Sequence, residues 1–306
     1  MSLKEDLSNT NFIATAELNP PKSFECEKLL ENASKLKGLV SAINITDNSG
    51  ATVKISSMTV SHLIHREFNI EPIWQITCRD RNRLAVQSDL LSAKLLNLVN
   101  ILPLRGDELK QGDYPDAKAS FDLNTEELIQ VIKNLELGFD LAGKELKPHL
   151  NNFNFCVGSA AHPGLENLLA QKETMLRRID LGVDFFQTQI CFDLDQLKRF
   201  REAIGEELAS KTLLGITPIK SLKQAEFMHK NIWGVNVPDY ISSELEKVAA
   251  DQSISETESI DAQREIGLKY SKEICLEVKN LGFKGIHLMA IGQEAHLSEI
   301  LKRIMP

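Results

Sequence analysis

Residues 97–107, NLVNILPLRGD, show the pattern that decides the fold, because a mostly apolar run ends abruptly in a charged turn. A short apolar run of this kind is typical of a strand buried on both faces, as in a parallel sheet. Similar runs recur along the whole chain and predict eight strands. They are FIATAEL (12–18), LVSAINIT (39–46), IEPIWQITC (70–78), NLVNILPL (97–104), FNFCVGSA (153–160), FFQTQICF (185–192), TLLGITPI (212–219) and GIHLMAI (285–291).

The segments between these runs have the signals of amphipathic helices. Apolar residues recur at spacings of three and four, as in 128–135. The N-x-x-E at 124–127 and the S-x-x-E at 255–258 are typical of helix starts, since a side-chain oxygen there can accept a hydrogen bond from an otherwise unpaired amide. A regular alternation of strand and helix predicts parallel strand pairing.

Eight strand–helix units without a polar linker predict an α/β protein of the (β/α)8 TIM-barrel type, with residues 1–306 forming a single catalytic domain. The alternative is an open, doubly wound sheet. The barrel is favoured because the count is eight, and because G-x-G, a part of the dinucleotide-binding fingerprint, occurs nowhere in the sequence.

The composition excludes several classes of function. The 306 residues are 42% hydrophobic and carry a formal charge of -8 without a basic block, which argues against a nucleic-acid or membrane partner. Five scattered cysteines suggest neither a disulfide framework nor a metal site, and the N-terminus lacks a secretion signal. We therefore expect a cytoplasmic protein.

Candidate site residues are the polar ones at or just after the apolar runs, because barrel enzymes carry their chemistry on the loops that follow the strands. Glu17 is the most notable, since a carboxyl within an apolar strand is suited to general-acid chemistry. The others at strand ends are Thr46, Gln75, Arg105, Gly106, Asp107, His162 and Gln189.

Several of these residues have a plainer interpretation. Arg105 and Asp107 could form an ordinary loop ion pair, which the RGD residues alone favour. His162 could cap a helix that starts near Pro163. The arginines at 177–178 would normally belong to a solvated helix face, unless a phosphate lies nearby.

At these same residues the chain resembles the methylenetetrahydrofolate reductase family, flavin-dependent barrels that reduce methylenetetrahydrofolate to methyltetrahydrofolate. The resemblance runs from about Ala14 to Ile291 and is closest to the family's bacterial branch. Its specificity comes from the order and number of the matching pieces. They are AELNPP (16–21), ITDNS (45–49), QITCRDRN (75–82), QSDLLSA (87–93), LRGD (104–107), GDYPDAK (112–118), VGSAAHP (157–163), DLGVDFFQTQICFD (180–193) and GITPI (215–219).

The resemblance implies a role for each candidate. Glu17 matches the catalytic acid that protonates the bridged folate nitrogen, Asp107 matches the acidic residue beside flavin and pterin, and Gln189 matches an amide that binds the substrate. Positions matching flavin contacts are Thr46, Gln75, Arg105, Gly106, Asp107, His162, Arg177 and Arg178. Thr46 is also expected to contact the substrate.

The resemblance further implies a bound flavin, FAD or FMN, and an NADH or NADPH donor, with two hydride transfers in a ping-pong sequence. The substrate would be a folate, and family members are usually homo-oligomers. Some relatives receive electrons from a partner subunit. The alternative function is therefore a folate- and flavin-binding subunit of a larger complex.

Overall fold

The computed structural model describes residues 2–9, 12–147 and 154–306. Each predicted strand is present, usually shortened by one to three residues at its ends. The strands are β1 (Ile13–Leu18), β2 (Ala42–Ile45), β3 (Pro72–Thr77), β4 (Asn100–Leu104), β5 (Cys156–Ala161), β6 (Phe185–Ile190), β7 (Thr212–Ile216) and β8 (Gly285–Leu288). Phe153, where the fifth strand was predicted to begin, lies outside the described residues.

The eight strands follow one another in sequence order as a closed parallel barrel. The register pairs Glu17 with Asn44 and Asn44 with Ile73, so the end of β1 is level with the start of β3, and β3 extends further toward the carboxyl-terminal end of the barrel. This arrangement confirms the (β/α)8 prediction, and the doubly wound alternative is wrong because that sheet would have two open edges.

One helix precedes β1, and one or more helices follow each strand along the chain. They are α1 (Leu3–Asn9), α2 (Glu27–Ser34), α3 (Ser57–Phe68), α4 (Arg83–Leu95), α5 (Thr125–Glu136), α6 (Leu168–Asp180), α7 (Leu194–Ile204), α8 (Glu206–Ala209), α9 (Leu222–Asn231), α10 (Asp239–Ala249), α11 (Glu256–Asn280) and α12 (Leu297–Ile304). None of the helices in the described part of the chain is long and apolar enough to cross a membrane.

Both predicted helix starts are capping boxes. The Asn124 side chain accepts a hydrogen bond from the Glu127 amide at 3.0 Å, and the Glu127 carboxylate accepts one from the Asn124 amide at 2.7 Å. Ser255 and Glu258 make the same reciprocal pair at the start of α11. These local bonds define where α5 and α11 begin, because they satisfy amides that the helix itself leaves unpaired.

The chain divides into two compact units. The first contains Thr15–Ala160 and Thr174–Phe186, with α1, and the second contains Ala161–Glu173 and Gln187–Pro306. The second has its own buried apolar cluster around Met228, Ile241 and Leu245. The single catalytic domain expected from the sequence stays a prediction.

Candidate active site

Glu17 lies near the end of β1, half-buried in a strand whose other residues are buried. Its Oε2 accepts a hydrogen bond from Nε2 of Gln75 in β3 at 3.4 Å, and Gln75 is itself 6% exposed. The register of β1, β2 and β3 places Gln75 two residues beyond the level of Glu17, within reach of its side chain, although the two residues are 58 positions apart. The structure thus joins two predicted site residues, while their catalytic and binding roles stay predictions.

Asn19 links the loop after β1 to the loop after β2. Its Oδ1 accepts hydrogen bonds from Thr46 Oγ1 at 2.8 Å and from Ser49 Oγ at 3.0 Å. Thr46, which was predicted to contact flavin and substrate, is 3% exposed and already uses its hydroxyl hydrogen in this contact. Its hydroxyl oxygen can still accept a hydrogen bond from a ligand.

Asp47 is a buried carboxylate that accepts several hydrogen bonds. It accepts hydrogen bonds from Thr77 N at 2.9 Å, from Thr77 Oγ1 at 2.8 Å and from Arg81 Nη1 at 2.6 Å. Arg81 also donates to Asp89 at 2.8 Å. Burial acts to lower the pKa of Arg81, but the two carboxylates outweigh it and leave that pKa above its usual value. The charge of Asp47 is therefore compensated within the protein.

Arg79 lies beside this pair and is 1% exposed. Its guanidinium donates to both carboxylate oxygens of Asp80, at 2.7 and 2.6 Å, and to the carbonyl oxygens of Asn48 and Asp107 at 3.2 and 3.4 Å. The hydrogen bond with Asp80 raises the pKa of Arg79. Arg79 thus ties the loops after β2, β3 and β4 together.

Gly106 has a φ of 90°, and a side chain there would place its Cβ 2.9 Å from Cβ of Arg79 and 3.1 Å from Cβ of Thr77. The glycine therefore allows a close approach to the end of β3 and the loop that follows it, and the flavin contact implied by the resemblance stays a prediction. The neighbouring Asp107 accepts a hydrogen bond from the Gly50 amide at 2.7 Å. The backbone amide holds this carboxylate in place.

Arg105 is directed toward residues other than Asp107. Its Nη1 donates to Glu108 at 2.6 Å, and its guanidinium carbon lies 4.4 Å from the centre of the Phe121 ring. Arg105 therefore forms an ion pair with Glu108, so the plainer interpretation of the RGD stretch named the wrong partner. More than half of the side chain is exposed, which leaves Arg105 accessible to a ligand.

Arg177 and Arg178 share one carboxylate. Glu126 lies 3.5 Å from Nη2 of Arg177 and 3.8 Å from Nε of Arg178. Arg178 also donates to the Ser159 hydroxyl at 2.9 Å and to the Ala160 carbonyl at 3.0 Å. Burial lowers the pKa of Arg178, with Glu126 opposing and Arg177 adding to that shift. Arg178 is largely buried against β5, so the solvated-face interpretation describes only Arg177.

His162 and Gln189 belong to the second unit. His162 packs edge-on against Trp233 with ring centres 5.2 Å apart, and its amide donates to Oε1 of Gln171 at 3.3 Å. Because α6 begins only at Leu168, the prediction that His162 caps a helix near Pro163 is wrong. Gln189 accepts a hydrogen bond from the Ile190 amide at 3.0 Å. The binding roles of both side chains stay predictions.

The sequence analysis assigned no role to four of the polar residues that organise this site: Asn19, Asp47, Arg79 and Arg81. A signal was present, because CRDRN at 78–82 places two arginines and an aspartate directly after a fully buried strand. Charged side chains at such a place are rarely tolerated without partners. The residues were visible, but the pairing of Asp47 with Arg81 was not.

The fold and site define a parallel (β/α)8 barrel protein. Its strand ends carry a half-buried carboxyl group and buried ion pairs, and two adjacent arginines share one carboxylate. The sequence profile of the family described as methylenetetrahydrofolate reductase matches residues 2–305. The chain belongs to this family.

The chain is similar to methylenetetrahydrofolate reductase 1 of Schizosaccharomyces pombe, at 23% identity over 297 residues that cover 94% of this chain and 45% of that protein. It is also similar to the 5,10-methylenetetrahydrofolate reductase of Pectobacterium carotovorum subsp. carotovorum, at 21% identity over 284 residues that cover 90% of this chain and 85% of that one. The chain spans about half the length of the yeast relatives it matches.

A solved structure has the same fold. It is an uncharacterized protein from Clostridium thermocellum that binds two copies of 5-methyl-5,6,7,8-tetrahydrofolic acid. The TM-score is 0.63 at 16% sequence identity, and the similarity covers 99% of this chain and 98% of the other. At this identity the similarity concerns the fold alone.

Proposed function

We propose that the chain reduces 5,10-methylenetetrahydrofolate to 5-methyltetrahydrofolate, with NADH or NADPH as the electron donor and FAD or FMN as the bound flavin, in a two-step, ping-pong reaction. Membership of the reductase family supports this function. The observation that carries it is the carboxyl group of Glu17, half-buried at a strand end with a buried amide donor beside it.

Glu17 would act as the general acid. Protonation of the bridged folate nitrogen opens the five-membered ring to an electrophilic iminium ion, and a positioned carboxyl group contributes roughly 10²–10⁴-fold to such a step. The Gln75 amide, at 3.4 Å from Oε2, would orient the carboxyl group. Because an amide has no titrating proton near neutral pH, it can hold Glu17 without competing for the proton.

Asp107 would supply a fixed negative charge beside the cation that develops on the folate. Its carboxylate accepts a hydrogen bond from the Gly50 amide at 2.7 Å, so it need not reorganise during the reaction. Thr46, held by Asn19, would present its hydroxyl oxygen to the substrate. These roles come from the family resemblance, and the contacts support them by holding the groups in place.

The residues present fit a flavin. Arg177 and Arg178 provide two positive charges against the single charge of Glu126, which suits a pyrophosphate, since a bound anion would offset the repulsion between the two guanidinium groups. Thr46, Gln75, Arg105, Gly106, Asp107 and His162 would make further contacts. When bound, the flavin supplies hydride transfer, and the protein supplies binding, orientation and the proton.

Other parts of the proposal rest on the resemblance. Gln189 would bind the substrate through its side-chain amide, and the protein would be a cytoplasmic homo-oligomer with a small-molecule folate substrate and no nucleic-acid or membrane partner. Five free cysteines are consistent with a reducing compartment.

An absorption spectrum of the purified protein tests the proposal, followed by anaerobic titration with methyltetrahydrofolate, NADH and NADPH. We expect a yellow protein whose flavin absorbance bleaches with methyltetrahydrofolate and with one of the two nicotinamides. A colourless protein that takes up no added flavin would refute the function. Bleaching by methyltetrahydrofolate but by neither nicotinamide would indicate the alternative, a subunit that receives electrons from a partner protein.

A further inference from the structure

The loop after β2 is held in a strained conformation. Asn48, Gly50 and Ala51 have φ values of 45°, 65° and 53°, and two of these three residues have side chains. A residue with a side chain is strained in this region, alanine more so than asparagine, and such strain persists only where surrounding contacts hold it. Strained segments of this kind concentrate at functional sites.

Two carboxylates from the loop after β4 hold this strained segment. Asp107 accepts a hydrogen bond from the Gly50 amide at 2.7 Å, and Asp113 accepts one from the Val53 amide at 3.0 Å. Between them, Gly112 packs so closely that a Cβ there would lie 2.0 Å from the carbonyl oxygen of Ala51. The Gly112-Asp113 pair therefore has a specific contact surface on the loop after β2.

Asp113 also holds the loop after β1. The same oxygen, Oδ2, accepts a hydrogen bond from Lys22 Nζ at 2.8 Å. Between Lys22 and the site lie Pro20 and Pro21, whose rings fix φ and make this short segment stiff. The Pro21 carbonyl accepts a hydrogen bond from the Ile55 amide at 3.0 Å. Because this segment is stiff, the contacts that hold Lys22 and Pro21 also limit where Asn19 and Glu17 can lie.

We call the contact of Asp113 with Lys22 and the Val53 amide the clamp. Within it, Lys22 and Asp113 form an ion pair. The hydrogen bond with Asp113 raises the pKa of Lys22, and the same bond, followed by the Val53 amide, lowers the pKa of Asp113. An exposed pair contributes little to global stability. Any functional importance must therefore come from the position in which it holds the loops after β1 and β2.

We propose that Asp113 is a positioning residue for proton transfer by Glu17: one carboxylate oxygen binds Lys22 and the Val53 amide together, and so sets where the loops after β1 and β2 lie around the acid. This inference rests on the proposed function. It assigns a role to Asp113, which makes no direct contact with Glu17 among the hydrogen bonds and ion pairs described.

The first test is amide hydrogen exchange followed by mass spectrometry on the full chain, which needs no activity. We compare Asp113→Ala, Lys22→Met and Lys22→Arg with a matched control, Asp116→Ala, which removes an exposed carboxylate in the same loop. Exchange in peptides covering 18–22 and 49–55 should rise at least about threefold in Asp113→Ala and Lys22→Met, because the tether between the loops is broken. Lys22→Arg and the control should behave like the wild type. Unchanged exchange in Asp113→Ala would refute the clamp.

The second test separates positioning from a general structural effect. In Asp113→Ala and Lys22→Met, kcat for folate reduction should fall about tenfold, since small misplacements of a catalytic group reduce rates steeply. The KM for folate and the oxidation of NAD(P)H with an artificial acceptor should change less than about twofold, since neither needs the proton from Glu17. Lys22→Arg should keep the kcat of the wild type.

The outcomes distinguish the two proposals. Loosened loops with a wild-type kcat would refute the positioning role while leaving the proposed function intact. An equal loss in folate reduction and in NAD(P)H oxidation would also refute it, because a damaged fold affects both. A wild-type protein without folate reductase activity would refute the proposed function, and the exchange of residues 18–22 would still decide whether Asp113 holds the loop after β1.

Discussion

Removal of the buried carboxylate of Asp47 should destabilise the protein strongly. The side chain is 2% exposed and accepts hydrogen bonds from the Thr77 amide, the Thr77 hydroxyl and Arg81. In Asp47→Ala these donors lose their acceptor, and Arg81, with 15% of its side chain exposed, keeps only Asp89 as an ion-pair partner among those described. Breaking one side of a buried pair costs about 3–5 kcal/mol.

The expected shift in melting temperature follows from the chain length. An unfolding entropy of about 2.1 cal/mol/K per residue predicts roughly 1.5 °C per kcal/mol for a protein of 306 residues. Asp47→Ala should therefore melt about 5–8 °C below the wild type. Differential scanning calorimetry at one scan rate, with the flavin state matched between samples, measures this shift.

The control is an exposed ion pair of the same length. Lys35 and Glu31 are also 2.6 Å apart, but 44% and 65% of their side chains are exposed. Glu31→Ala should melt within about 1 °C of the wild type, because solvent screens the exposed pair. If Asp47→Ala shifted the melting temperature by less than 2 °C, or no more than Glu31→Ala, the argument that burial gives the Asp47 pair its importance would be wrong.

Three further predictions concern the acid, the turn and the cysteines. Glu17→Gln should lower the rate of folate reduction at least about 100-fold, while the rate of NAD(P)H oxidation with an artificial acceptor stays within about threefold. Stopped-flow absorbance measures both rates, and equal losses in both would exclude a specific role of Glu17 as the acid. Gly106→Ala should cost at least about 1–2 kcal/mol in urea unfolding, because alanine is strained at a φ of 90° and its Cβ would meet Arg79; an unchanged midpoint would contradict this. Burial raises the pKa of Cys78 to about 11, so its reactive thiolate is scarce at pH 8. The other cysteines are also buried, apart from Cys26. Native protein should thus react with Ellman's reagent at Cys26 alone and denatured protein at five positions, and rapid labelling of Cys78 would refute this.

Much of the fold was predictable because its signals are local. Apolar runs mark buried strands wherever they occur, and the capping boxes at Asn124 and Ser255 involve residues only three positions apart. The errors were at boundaries. Residues 39–41 were predicted to be strand, but β2 begins at Ala42. The reason is that the Leu39 amide donates a hydrogen bond to the Leu36 carbonyl, in the turn that follows α2.

The candidate site was predictable in part. In a parallel barrel the position of a residue along its strand determines whether it lies at the carboxyl-terminal end, so Glu17, Thr46, Gln75 and Asp107 could be selected from the sequence. Their partners could not. Nothing near Asp107 in the sequence indicates that the Gly50 amide binds its carboxylate, and nothing near Arg105 excludes Asp107 as its ion-pair partner.

The sequence by itself therefore determined the order of strands and helices, the barrel class and the strand-end residues, since each depends on interactions between near neighbours or on a repeating apolar pattern. Only the tertiary structure decided that Asp47 pairs with Arg81, that Gln75 donates to Glu17, and that Asp113 holds two loops at once. These contacts join residues 34, 58, 91 and 60 positions apart. Over such separations, strand register and loop packing decide which polar groups meet, because every buried charge must find its partner within hydrogen-bond distance.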